Sequence, residues 1–125
     1  MLPTFIASAA KIPMISTGDI GREGAERLLA GGKGQQVVEL AGPEDCSSEE
    51  AAAALSRILG KPVSAQYAPL SAVVPTFTSF GFSMEAAALF EEMYAAFAKN
   101  AIGYEHPQRI VRGTVTLAEA LREMI

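Results

Sequence analysis

Residues 12–24 read IPMISTGDIGREG and decide how the first part of this chain folds. Pro13 cannot occupy a helix interior and restricts the residue before it, so a short extended segment is predicted around it. Asp19 is a suitable N-cap for a helix that runs to about Ala30, where a run of glycines ends it. The stretch therefore predicts a strand followed by a helix.

The rest of the chain continues this alternation of short apolar runs and helical patterns. Ser47 with Glu50, and Thr116 with Glu119, each fit a capping box, in which two side chains satisfy free backbone N–H groups at a helix start. The pattern predicts a small mixed α/β fold in one domain, with three to four short strands and about four helices. The predicted strands cover residues 11–17, 36–40 and 63–68, and the predicted helices cover 19–30, 47–59, 84–99 and the end of 114–125, with a short helix and a turn within 69–83.

The composition excludes several classes of protein. Half of the 125 residues are hydrophobic, which favours a folded chain, and the apolar stretches are too short to span a membrane. The net charge is −4 with scattered lysines and arginines, whereas a nucleic-acid binder needs a basic stripe. A single cysteine and a single histidine argue against a Cys/His metal site. The single cysteine, and a start without the basic region of a secretion signal, predict a cytoplasmic location.

Residues 17–24 fit the pattern T-G-x-x-G-x-x-G, the spacing with which extended short-chain dehydrogenases hold a pyrophosphate. On that interpretation Gly18, Gly21 and Gly24 would bind NADP. Asp19 opposes it because its carboxylate would repel the phosphates, and Pro13 spoils the strand that should precede the loop. We therefore predict no cofactor site, with Gly21 and Gly24 as close-packing positions, and keep NADP binding as the alternative.

Aromatic side chains provide the candidate ligand pocket. Aromatic residues can line a cavity for an apolar molecule, although they more often form the core. The aromatic candidates are Tyr67, Phe77, Phe80, Phe82 and Tyr94, and Asp19 is a further candidate for the same pocket.

Two further side chains, those of His106 and Cys46, are of types that take part in catalysis. His106 lies in a turn-like loop without an assignable nucleophile, so it is predicted to be an ordinary exposed histidine. Cys46 precedes a helix whose dipole would favour a thiolate, but Glu44 and Asp45 oppose ionisation, so an inert thiol is predicted. No catalytic residue and no metal ligand follow from the sequence.

Six segments carry a resemblance to a known family: IPMISTGDIG at 12–21, AERLL at 25–29, VELAGPED at 38–45, AALSRILGKPV at 53–63, RGT at 112–114 and LAE at 117–119. Taken together, these segments resemble the C-terminal half of the NmrA-like family of atypical short-chain dehydrogenases. The resemblance implies a Rossmann-type relative whose substrate-side part covers the nicotinamide end of a bound NADP and lines a substrate or regulatory pocket. Members include quinone-type reductases and non-catalytic redox sensors.

The chain departs from that family in two ways. The N-terminal dinucleotide-binding half is not part of it, and no Tyr-x-x-x-Lys pair exists, because Ala98 stands four residues after Tyr94 and Lys99 comes one residue late. On a helix that slip turns the amine about 100° away from the tyrosine. We expect a non-catalytic small-molecule-binding or accessory domain. The alternatives are a fragment of an oxidoreductase, active only with a separate nucleotide-binding half, and a small NAD(P) binder.

The missing half also predicts a partner. Strands that normally join a larger parallel sheet would expose an unpaired edge and apolar surface, which proteins usually cover. We therefore expect a homodimer that forms through the exposed sheet edge and apolar surface, together with a small hydrophobic ligand.

Overall fold

A computed structural model describes residues 1–125 and confirms the small mixed α/β class. It contains five α-helices, two single-turn 3₁₀-helices and six strands of two or three residues. The strands are β1 (Leu2–Thr4), β2 (Ile12–Pro13), β3 (Leu40–Ala41), β4 (Asp45–Cys46), β5 (Ala65–Tyr67) and β6 (Val111–Arg112). The helices are α1 (Thr17–Ala30), α2 (Ser48–Leu59), α3 (Val73–Ser79), α4 (Met84–Ala98) and α5 (Leu117–Met124), with 3₁₀ turns at Leu70–Ala72 and Pro107–Arg109.

The strands form three separate pairs instead of one sheet. β1 pairs with β5 and β3 with β6, both in parallel, and β2 pairs with β4 antiparallel. Two predicted strands are much shorter than expected: 11–17 keeps only β2, and 36–40 keeps only Leu40, extended by Ala41. Pro13 gives a physical reason for the first, since it has no N–H to continue a ladder. β1, β4 and β6 were missed because runs of two or three residues carry no periodicity.

The capping predictions are confirmed at two helices. At α2, the Glu50 amide donates to the Ser47 hydroxyl at 3.2 Å, and the Glu50 carboxylate accepts from the Ser47 amide at 2.8 Å. At α5, Thr116 and Glu119 form the same reciprocal pair at 3.3 and 2.8 Å. Gly60 ends α2 in the left-handed conformation with φ 64°, which glycine adopts without strain.

The predicted N-cap of α1 is wrong. Ser16 caps the helix, because its hydroxyl accepts from the Asp19 amide at 3.1 Å, and the helix begins at Thr17. Asp19 is thus the third residue of α1. Its carboxylate does not close the helix end but contacts another part of the chain.

The core is thin and divided. Ten of the 125 residues are buried, so much apolar surface remains open to solvent. The largest packing surface joins α3 and α4, and α2 packs on α5, whereas α1 is absent from the element pairs that pack extensively. None of the helices combines the length and apolar composition required to cross a lipid bilayer.

Candidate functional site

An apolar pocket lies between α5 and the segments that carry β2 and β4. Its volume is about 180 Å³. Helix α5 contributes one face, since residues 117, 120, 121 and 124 follow helical spacing. The lining residues are Met14, Ile15, Ser16, Pro43, Glu44, Cys46, Val115, Thr116, Leu117, Ala120, Leu121 and Met124.

The Asp19 carboxylate holds one wall of this pocket in place. Its Oδ2 accepts from the amides of Thr114 and Val115 at 3.0 and 2.9 Å, and its Oδ1 accepts from the Arg22 guanidinium at 2.7 Å. The Asp19 side chain is 1% exposed. We refer to this arrangement of Asp19, Arg22, Thr114 and Val115 as the Asp19 clasp. It ties the start of α1 to the segment that leads into α5.

The clasp also fixes the charge of Asp19. The Val115 amide, above all, holds the pKa of the carboxyl below its ordinary value. Arg22 and the Thr114 amide act in the same direction, and burial opposes them. A carboxylate that accepts several N–H groups is stabilised in its charged form. Asp19 is therefore a structural anion that is already satisfied within the chain.

Two glycines allow the backbone segments around the clasp to approach one another. A Cβ at Gly113 would overlap the Asp19 carboxylate, because the Cγ of Asp19 would lie only 2.7 Å from that Cβ. A Cβ at Gly42 would overlap the Met14 carbonyl oxygen, to which the Gly42 amide donates at 2.8 Å. Neither position has room for a side chain. Both glycines lie within the segments that resemble the NmrA-like family, and no role was predicted for either.

Cys46 lies on the wall of the pocket and is buried. Burial raises the pKa of its thiol, and the charges of Glu50 and Glu44 raise it further. The thiol donates weakly to the Glu44 carbonyl oxygen at 3.6 Å. The direction of the shift agrees with the predicted inert thiol, because a neutral thiol is a poor nucleophile.

The predicted aromatic pocket residues separate into two groups. Phe77 contacts Phe82 and Tyr94, with ring centroids 5.3 and 6.4 Å apart, in a cluster that also contains Phe5 and Phe90. This packing is the core role that aromatic residues more often have. Tyr67 and Phe80 are outside the ring contacts and are 54% and 71% exposed, and Asp19 belongs to the clasp instead. The ligand-pocket role of the six residues stays a prediction.

The three glycines of the T-G-x-x-G-x-x-G pattern all lie inside α1. Gly21 and Gly24 have no atom within 4 Å of a would-be Cβ, so the prediction that they are close-packing positions is wrong. Gly18 faces only the Ser16 hydroxyl, at 3.4 Å. In a phosphate-binding loop such glycines precede the helix. In this chain they lie within the helix itself, on successive turns.

His106 precedes a 3₁₀ turn, whereas Tyr94 and Lys99 lie within and at the end of α4. His106 is exposed, as predicted, and its amide donates to the Glu39 carboxylate at 2.8 Å. Lys99 is the C-cap of α4, and Tyr94 belongs to the aromatic cluster. No three His, Cys, Asp or Glu side chains come together in a way that could hold a metal ion.

Sequence reasoning missed the α5 pocket. The signal was present, since the capping box at Thr116 starts a helix whose apolar residues recur at 117, 120, 121 and 124. The facing wall could not be found in this way, because it comes from loops near residues 14 and 43.

No family model, curated protein or solved structure matches this chain. The resemblance to the NmrA-like family therefore remains a prediction from the residues alone.

Proposed function

We propose that this chain is a non-catalytic small-molecule-binding domain of the NmrA-like kind that takes a small, uncharged apolar ligand in the pocket beside α5. The observation that carries the proposal is the lining of that pocket, which is apolar apart from Ser16, Glu44 and Thr116. Ligand pockets typically combine such walls with a few polar groups. The domain would act as a binding or accessory unit and would carry no cofactor site of its own.

The size and charge of the pocket define the ligand class. Its volume of about 180 Å³ is close to the ~150 Å³ of an apolar protein cavity that binds benzene. A single substituted ring, such as a monocyclic quinone, therefore fits. Glu44 is exposed where it borders the pocket, and its carboxylate disfavours an anionic ligand at this site.

Thermal denaturation with duroquinone tests the proposal. This tetramethylated quinone has no free ring position for addition of the Cys46 thiol. We expect a rise in Tm that grows with ligand concentration, and a gain of about 2.7 kcal/mol at a hundredfold excess over Kd. Ala120→Leu, which fills the pocket, should abolish the rise, whereas Ala53→Leu at an exposed position of α2 should preserve it. No rise in the unmodified protein, or an equal rise in Ala120→Leu, would refute the proposal.

A second observation favours association with another polypeptide. Leu28 and Leu29 on α1 are 85% and 89% exposed, and two of the three strand pairs are parallel, a pairing that normally occurs in covered sheets. We propose a homodimer that covers this surface. Sedimentation velocity at micromolar concentration should show a dimer, and Leu28→Glu with Leu29→Glu should reduce it to monomer.

A monomer alone in the unmodified protein would contradict the homodimer. A separately supplied nucleotide-binding unit that co-purifies with the chain would instead favour the oxidoreductase-fragment alternative.

A further inference from the structure

A groove between α2 and α5 is flanked by two arginines. Ala54, Arg57 and Ile58 line it from α2, and Ala118 and Arg122 line it from α5. Its volume is about 350 Å³. The floor is apolar, and both cations are exposed beside it.

Neither arginine forms a salt bridge within the chain, although the charge of Arg122 helps to lower the pKa of Glu119. The four ion pairs of the structure involve other residues, and neither Arg57 nor Arg122 donates a side-chain hydrogen bond. Two nearby carboxylates are already engaged, since Glu50 binds Lys11 at 2.9 Å and Glu119 caps its own helix. Glu44 borders a neighbouring cleft that Arg57 also lines. Ten hydrogen-bond donors on two guanidinium groups are thus left to solvent or to a ligand.

Helix dipoles explain each arginine separately but not the pair. Arg57 lies in the last turn of α2 and Arg122 in the last turn of α5, where a cation is favoured. That effect operates within each helix and does not require the two side chains to border one groove. Two like charges beside a shared apolar floor are stabilised by an anion placed between them.

We propose that this groove binds a small organic acid, whose carboxylate contacts Arg57 and Arg122 while its apolar body lies on Ala54, Ile58 and Ala118. Guanidinium groups match the planar, two-oxygen geometry of a carboxylate. The site is separate from the pocket of the proposed function. Residues 118 and 122 lie on the side of α5 toward the groove, whereas 117, 120, 121 and 124 line that pocket.

Benzoate is the probe, titrated into the 15N-labelled protein and followed by amide chemical shifts. We expect saturable shifts centred on residues 54–58 and 118–122. Arg57→Gln and Arg122→Gln should each weaken binding about tenfold or more, because each removes charge-assisted hydrogen bonds. Arg109→Gln is the matched control, since Arg109 also lacks a side-chain partner but borders a different cleft. It should bind benzoate as the unmodified protein does.

Two further measurements distinguish the site from its alternatives. Ala120→Leu should leave benzoate affinity unchanged, so failure of the α5 pocket and failure of the groove are separable. Inorganic phosphate should bind at least about tenfold more weakly than benzoate, because it cannot use the apolar floor. The proposal is overturned by no saturable shift with benzoate, by equal affinity in Arg57→Gln or Arg122→Gln, or by equal affinity for phosphate.

Discussion

Two regions of this molecule are held together by opposite means. The Asp19 clasp uses one buried carboxylate, two backbone amides and the close approach permitted by Gly113. The aromatic cluster between α3 and α4 uses ring packing, with Phe77 stacked on Phe90 at a centroid distance of 4.3 Å. The first depends on the placement of a few atoms, whereas the second depends on the sum of many weak contacts.

The difference shows where a single change should matter most. Hydrogen bonds of a buried carboxylate are directional, so loss of the acceptor leaves the amides of Thr114 and Val115 without that partner. Aromatic packing is less directional, so neighbouring rings can move to fill part of a gap. The two regions also differ in what they support, because the clasp positions the wall of the α5 pocket and the cluster does not contribute to it.

Asp19→Ala should produce the largest loss of stability. It removes the acceptor of the Thr114 and Val115 amides and releases the segment that leads into α5. We expect the largest fall in Tm among the variants considered, measured by circular dichroism, together with loss of duroquinone stabilisation. The Tm of Asp19→Asn should lie between those of Asp19→Ala and the unmodified protein, since the one amide oxygen of asparagine can still accept a hydrogen bond. A Tm equal to that of the unmodified protein would show that the clasp is not important for stability.

The pH dependence of stability provides a second test of the clasp. The pKa of Asp19 is lower in the folded protein than its ordinary value of about 3.9. The charged carboxylate therefore contributes stability above that value, and this contribution is lost as the pH falls through the folded pKa. The free energy of unfolding, measured by urea denaturation between about pH 5 and pH 2 on either side of that loss, should depend less on pH in Asp19→Asn than in the unmodified protein. Parallel curves for the two proteins would contradict this assignment.

Phe77→Ala should cause the next largest loss. Phe77 contacts four other rings but is only half-buried, so we expect a cost near ~3 kcal/mol, at the low end for removal of a phenylalanine side chain. Phe80→Ala is the control, because that ring is exposed and outside the cluster, and it should cost less than about 0.5 kcal/mol. Urea denaturation measures both. Equal costs would mean that the cluster does not form the core of this region.

Two glycine substitutions should have opposite signs. Gly113→Ala places a Cβ against the Asp19 carboxylate and should destabilise the protein by about 1–3 kcal/mol. Gly21→Ala meets no atom within 4 Å and lies in a helix interior, so it should stabilise by about 0.5–1 kcal/mol. If both substitutions raise the free energy of unfolding, the backbone at Gly113 does not lie as close to the Asp19 carboxylate as described.

The sequence predicted local structure better than it predicted the site. Helix α2 was predicted with its cap and its glycine stop, because those signals lie within a few residues of one another. Asp19 was predicted as a cap and proved to bind residues 95 and 96 positions away. No local pattern encodes such a partner, and the close approach at Gly113 is equally non-local. The partners of the strands could not be predicted for the same reason, since strands of two or three residues are defined by the strands they pair with.

A matched pair of serine N-caps extends the comparison to the starts of α1 and α4. Ser16 accepts from the Asp19 amide at 3.1 Å at the start of α1, and Ser83 accepts from the Ala86 amide at 3.2 Å at the start of α4. Replacement of either serine by alanine should cost about 1 kcal/mol of global stability. The local consequences should differ, because α4 packs on α3 whereas α1 depends on its own caps and the clasp.

Amide hydrogen exchange distinguishes these local consequences. Ser16→Ala should accelerate exchange throughout α1, since little tertiary packing opposes its opening. Ser83→Ala should affect only the first turn of α4, because packing of the aromatic cluster keeps the later turns closed. If exchange accelerates equally along both helices, tertiary packing does not protect α4, and the contrast between the clasp and the cluster is lost.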